Sequence, residues 1–281
     1  MNLDFQIKAL LMSFVSTIIL SMIAIPILKK LKVGQIQRQE GPESHIKKEG
    51  TPTMGGVVIL VAILVAAIFM FVYYYVADIT VAKNMIPLIL ATFGFGLIGF
   101  IDDFRKLILK NPIGLKPKHK MLGLLGVSVA FVMYLIYGMN IETVTYIPFV
   151  KTYITLPIWV YIPFAIFVML AATNAVNLTD GIDGLASTVT AIIVTFFTVI
   201  ALVIDVKEIA VFGSIITGSC LGFLIFNLNP AKVFMGDTGS LAFRWGYFGY
   251  CNLYKNAAYN SYCSGSLCYR NNICNDAGNV F

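Results

Sequence analysis

Seven apolar runs, near residues 7–28, 54–76, 85–101, 121–138, 157–175, 186–204 and 209–226, decide what this chain can fold into. A helix needs about 20 residues to cross the hydrocarbon core of a bilayer, and each run is of that order. In that solvent every backbone N–H and C=O must be paired within the protein, which runs of this length achieve as α-helices. With 58% hydrophobic and 12% charged residues over 281 positions, and a mean hydropathy of +0.84, an ordinary soluble domain is excluded. The predicted fold class is an all-α polytopic integral membrane protein, a helical bundle with its site-bearing loops on one face. The first run exceeds the apolar core of a secretory leader and lacks a basic leading region and a small-residue cleavage site, so it reads as a retained helix.

The loops are charged asymmetrically. If the loop after the first run is cytoplasmic, that side carries Lys29, Lys30, Lys32, Arg38, Lys47, Lys48, Arg105, Lys106, Lys110, Lys116, Lys118, Lys120 and Lys232. The opposite loops carry only Lys83, Lys151 and Lys207. The excess of Lys and Arg on cytoplasmic loops then puts the amino terminus outside. A net charge of +6 would suit nucleic acid, but basic residues confined between apolar runs are explained by topology, and no nucleic acid partner is expected. Residues 141–155 alternate β-branched and aromatic side chains around Pro148, which predicts a short hairpin outside the membrane on the side opposite the basic loops.

Four polar clusters interrupt the apolar pattern, all on the basic side. The stretch Asn174-Ala-Val-Asn-Leu-Thr-Asp-Gly-Ile-Asp-Gly-Leu185 sets Asn174, Asn177, Asp180 and Asp183 between membrane segments. An ionised Asp at the bilayer centre costs about 2.5–3.5 kcal/mol on insertion scales, so such groups belong to a wet cavity or a membrane face with a task. A second cluster, Lys47-Lys-Glu-Gly-Thr-Pro-Thr-Met-Gly-Gly56, offers Lys48, the Thr53 hydroxyl and paired glycines to an anion. The same residues also suit topogenic lysines and close helix packing. In Asp102-Asp-Phe-Arg-Lys106 two carboxylates meet the negative end of a helix, which either a surface ion-pair network or a bound divalent cation would offset. Finally, Asn227-Leu-Asn-Pro-Ala-Lys-Val-Phe-Met-Gly-Asp-Thr-Gly-Ser240 holds Asp237 between glycines, as a hard-cation or phosphate site or as a helix cap at Asp237 or Thr238.

Carboxylates, carboxamides and lysines without a Cys–His ligand set favour Mg²⁺, bound through carboxylates and substrate phosphates, over zinc. Phosphoryl transfer is the matching chemistry, since it works by positioning and charge neutralisation. A transporter using the same carboxylates is the competing class, but coupling charges usually sit near the midplane on broken helices, not at span ends on one side.

Taken in order over residues 1 to about 242, these four motifs resemble the phospho-N-acetylmuramoyl-pentapeptide transferases, and the Gly-Thr-Pro-Thr-Met-Gly-Gly block separates them from other polyprenyl-phosphate hexosamine-1-phosphate transferases. The resemblance implies a bacterial inner-membrane enzyme, its site facing the cytoplasm. It would move phospho-N-acetylmuramoyl-pentapeptide from UDP-N-acetylmuramoyl-pentapeptide to undecaprenyl phosphate with Mg²⁺, giving lipid I and UMP. By motif position it implies Asp237 as the metal ligand, Asp102 and Asp103 as carboxylates handling the lipid phosphate, and Lys48, Asp180, Asp183 and Phe234 on the uridine side. Thr53, Lys106, Lys120, Asn174, Asn177 and Asn227 match polar positions of the substrate cleft. A homodimer is left open.

The pattern changes at about residue 243. Residues 1–242 read as the transferase domain, with seven spans and the start of an eighth. Residues 243–281 are polar, rich in Asn and Tyr, and hold four of the five cysteines, where the family resemblance implies further apolar helices and a histidine motif. The spacing of Cys263, Cys268 and Cys274 does not suit zinc, and disulfides do not suit a segment that begins on the cytoplasmic side. A shifted reading frame near codon 242 would explain the change. It carries the expectation of an inactive remnant, with weak or absent turnover and poor accumulation.

Overall fold

The computed structural model describes residues 4–31, 51–107, 109, 114–141, 143–147, 152–177, 183–203 and 205–242, and side chains throughout these except at 144–147, 152–153 and 172–177. Lys48, Asp180 and the segment 243–281 lie outside the described residues. In chain order the elements are α1 (Asp4–Lys30), α2 (Gly55–Ala77), α3 (Ile79–Leu107), α4 (Pro117–Met133, continued by a π-helical turn Tyr134–Gly138), β1 (Val144–Ile147), β2 (Thr152–Thr155), α5 (Ile158–Asn177), α6 (Leu185–Val203) and α7 (Lys207–Asn227). A last helical stretch occupies 236–242. Among the described residues six helices, all of these named except α5, are long and apolar enough to cross a membrane, and α5 is apolar over Ile158–Ala171. The chain is therefore a multi-pass helical membrane protein.

The predicted hairpin is present. β1 and β2 pair antiparallel, Val144 opposite Thr155 and Ile147 opposite Thr152. One boundary differs in a way that matters. The third apolar run covers 85–101, but α3 spans Ile79–Leu107, so Asp102 and Asp103 sit inside its last turns, at the helix end where the sequence put them. The extension places Lys106 one turn after Asp102, within reach of its carboxylate.

α7 is the centre of the bundle. It is buried almost all round and packs against α1, α2, α3 and α6. Lipid tails are as apolar as leucine, so membrane helices associate through close packing, and small residues mark the contacts. A Cβ on Gly218 would lie 2.2 Å from the Leu10 carbonyl oxygen, and one on Gly222 would lie 2.7 Å from that of Phe14. α1 answers with a stripe of Gln6, Ala9, Ser13, Thr17 and Ser21, all buried. Its large side chains, Leu11, Val15, Ile19 and Met22, are about half exposed or more and point outward. Small or polar inside and large apolar outside is the reverse of a soluble helix, and it follows from the solvent.

Candidate functional site

The C-terminal ends of α3 and α7, the N-terminal ends of α2, α4 and α6, and the 236–242 stretch meet at one end of the bundle. The junction is backbone to backbone. Gly55 N–H donates to Phe234 O (2.9 Å), Gly56 N–H to Met235 O (2.7 Å) and Phe234 N–H to Pro52 O (2.8 Å). A Cβ on Gly56 would fall 1.9 Å from the Gly239 nitrogen, so the glycine pair lets the 236–242 helix lie against α2. Thr53 is buried in this seam, while Phe234 is half-buried. Two of the sequence motifs are thus knitted into one surface.

Four charged side chains converge there. Lys106 Nζ lies 2.8 Å from both Asp102 Oδ2 and Asp237 Oδ2. Lys120, in the first turn of α4, places its Nζ 3.1 Å from Asp102 Oδ2 and 2.9 Å from Asp237 Oδ2. Asp102 is 3% exposed, and its other oxygen accepts the Leu115 N–H at 2.7 Å. That bond needs the loop before α4 to pass directly over the carboxylate. Gly114 allows it, with φ +62° and a Cβ position that would be 2.5 Å from Asp102 Oδ1. Burial works to raise the Asp237 carboxyl, but hydrogen bonding with Asp102 and the Lys120 and Lys106 charges outweigh it and hold the group well below the usual carboxylate range.

Asp103 is turned elsewhere. Its oxygens accept the Asp237 N–H (3.1 Å), the Thr238 N–H (2.8 Å) and the Thr238 hydroxyl (2.6 Å). The sequence offered Asp237 or Thr238 as the cap of the last helix, whereas in the fold the capping acceptor comes from α3. No local pattern signals a cap supplied from a distant helix. Asn227 is likewise engaged within the protein: its Oδ1 accepts from Gly184 N–H (3.1 Å) and Ser187 Oγ (3.3 Å), and its Nδ2 donates to Val233 O (3.0 Å). Asp183 Oδ2 accepts the Ala231 N–H at 3.4 Å. These bonds tie the start of α6 to the loop that carries Phe234. Asn174 and Asn177 occupy the last turn of α5, their side chains outside the described set.

Among the described residues, no three His, Cys, Asp or Glu side chains gather as a ligand set. That excludes a closed zinc-type cage from the described part of the chain. A small hard cation needs no such set, since it takes one or two carboxylates and completes its shell with water and phosphate oxygens. Asp237 Oδ2 is a hard oxygen donor of the kind such an ion takes, and the Lys106 and Lys120 ammonium groups that now hold it would have to give way to the ion.

Fold and site define a class, a multi-pass membrane protein with a half-buried carboxylate–lysine centre at one end of its helices. The comparisons agree. Residues 85–248 match the model for Glycosyl transferase family 4, and residues 48–60 match phospho-N-acetylmuramoyl-pentapeptide-transferase signature 1. A phospho-N-acetylmuramoyl-pentapeptide-transferase of Acetivibrio thermocellus is 46% identical over 248 residues, covering 86% of this chain and 72% of the relative. The enzymes of that name from Halalkalibacterium halodurans and Bacillus cytotoxicus are 48% and 46% identical, over 83% and 82% of this chain and 70% and 69% of theirs. The chain belongs to the phospho-N-acetylmuramoyl-pentapeptide-transferase family.

Proposed function

We propose that this chain transfers phospho-N-acetylmuramoyl-pentapeptide from its UDP carrier to undecaprenyl phosphate, at the cytoplasmic face of a bacterial inner membrane. An oxygen of the lipid phosphate attacks the sugar-linked phosphorus. The bond from that phosphorus to the bridging oxygen breaks, and UMP leaves with the oxygen, so the lipid-linked diphosphate, lipid I, is the product. The observation that carries the reading is the box of Asp102, Asp237, Lys106 and Lys120 at the junction of the family's motifs. Phosphoryl transfer asks little covalent chemistry of the protein and much positioning and charge neutralisation.

Lys106 and Lys120 supply the positive charge against which the two phosphate groups approach. Their present partners hold both ammonium groups at one point and would exchange in part for phosphate oxygens. Asp237 would hold Mg²⁺, which when bound would spread the negative charge of the reacting phosphates, and Asp102 would handle the lipid phosphate beside it. Phe234, fixed through its backbone on both sides, is suited to stack on the uracil, with Lys48, Asp180 and Asp183 on the uridine side. Thr53, Asn174, Asn177 and Asn227 complete the cleft, Asn227 by holding the α6 start against the Phe234 loop. The excess of Lys and Arg on the loops at this end supports the cytoplasmic orientation.

The test is Mg²⁺-dependent appearance of lipid-linked product and UMP from purified chain, UDP-N-acetylmuramoyl-pentapeptide and undecaprenyl phosphate. Asp237→Asn is expected to lose at least 100-fold in turnover. Product formation unaffected by that substitution would remove Asp237 from the reaction, and no product from the unsubstituted chain would overturn its activity in favour of an inactive remnant of the family.

A further inference from the structure

We propose that Asp103 and Thr238 form a positioning pair, which sets the Asp237 carboxylate against Lys106 and Lys120 without itself touching the reacting groups. This rests on the reading of Asp237 as a reaction-centre carboxylate. Neighbouring residues on a helix point about 100° apart, so Asp102 and Asp103 do not address one target. Asp102 faces the two ammonium groups, and Asp103 faces the backbone of the 236–242 helix.

The bonding of Asp103 leaves it little capacity for a substrate. A carboxylate has about four acceptor sites, and three are occupied by the Asp237 N–H, the Thr238 N–H and the Thr238 hydroxyl. Both partners are shut away from solvent, Asp103 at 4% exposed and Thr238 at 0%. Gly236 keeps the approach open, since a Cβ there would be 2.8 Å from Asp103 Oδ2. Asp237 is consequently held at both ends of its own peptide units, its N–H by Asp103 and its C=O by the Ser240 hydroxyl at 3.2 Å. With its backbone pinned, its side chain meets Lys106 and Lys120 in one geometry. The Thr238 hydroxyl makes the shortest of the three bonds and is the only one made by a side chain. Its removal leaves a buried carboxylate short of a donor and free to shift the residue that follows Gly236.

The experiment compares the 281-residue chain with Thr238→Val, which keeps the shape and removes the hydroxyl, and with Thr238→Ser, which restores it. Steady-state kinetics and amide exchange across 236–242 are read on each. Thr238→Val is expected to lower kcat about 10- to 100-fold with KM for the UDP-linked donor unchanged, as about 1 Å of misplacement does. The Asp237 and Thr238 amides should exchange at least about tenfold faster in that variant, and Thr238→Ser should recover both properties. Wild-type kcat and exchange in Thr238→Val would overturn the proposal, as would a Thr238→Ser loss equal to that of Thr238→Val. Should Thr238→Val not accumulate, Thr238→Ser decides: kcat within about threefold of the unsubstituted chain supports the pair, and a tenfold loss overturns it. If the unsubstituted chain shows no turnover the proposed activity fails by itself, while the exchange comparison still decides the pair.

Discussion

At the scale of single residues, the site depends on which groups are satisfied and by whom. Asp102 and Asp103 are adjacent in sequence, yet one is held by two lysines and a loop amide and the other by the first amides of a distant helix. A buried charge network of this kind tolerates the loss of a member badly, because the remaining charge is left unpaired in a medium that solvates it poorly. The loop amide is delivered by Gly114, whose positive φ and contact with Asp102 leave no room for a side chain. Gly114→Ala is therefore expected to push the loop off Asp102 and lower turnover by about tenfold or more, with the helical content of the protein intact. Circular dichroism beside the kinetic assay checks both halves, and an Ala variant with normal turnover would show that the Leu115 bond is dispensable. Nothing in the sequence singles out Gly114, because it stands in a short loop without a recognisable motif and its constraint exists only once α3 and α4 are side by side.

At the scale of elements, α7 sets the spacing of its neighbours through residues that have little or no side chain. Gly218 and Gly222 receive the backbone carbonyls of α1, and the Gly56–Gly239 contact does the same for α2 and the last helix. Gly218→Leu would drive α1 away from the axis of the bundle. The expected cost is about 1–3 kcal/mol, the usual range for overpacking, read as an earlier thermal unfolding transition in detergent. Gly126, beside whose Cβ position there is open space, is the matched control, and Gly126→Leu should leave the transition in place. Equal shifts from the two substitutions would mean that helix propensity, not the close approach, sets the effect. The apolar runs announced these helices within a few residues because length and hydropathy are local properties. What they understated was the length of α3, which starts at Ile79 and runs through Asp102 to Leu107, its charged end paired with Lys120.

At the scale of the whole molecule, the legible part of the sequence was the solvent. Runs of about twenty apolar residues identified a bundle, and the clusters at Asp102, Asp183 and Asp237, which the Lys and Arg imbalance assigned to one side, meet at one end of it. The partition of labour among those carboxylates was not legible, since it depends on distances between residues more than a hundred positions apart. The orientation itself is open to direct test. A cysteine at Lys118, in a chain otherwise free of cysteine, should react with an impermeant maleimide only from the cytoplasmic side, and one at Thr143, beside the hairpin, only from outside. The opposite pattern would invert the topology and with it the compartment of the proposed donor. The packing of α1 also bears on biosynthesis. The contact partners of Leu10 and Phe14 are about two hundred residues further along the chain, so α1 leaves the ribosome long before α7 exists to receive it. In the interval its Ser13 and Thr17 hydroxyls already donate to the carbonyls of its own Leu10 and Ser13, so those donors need no partner helix. The first helix can enter lipid with these hydroxyls already paired and meet α2 next, its Phe5 against Tyr73 and Tyr74, and the bundle closes only when synthesis reaches its axis.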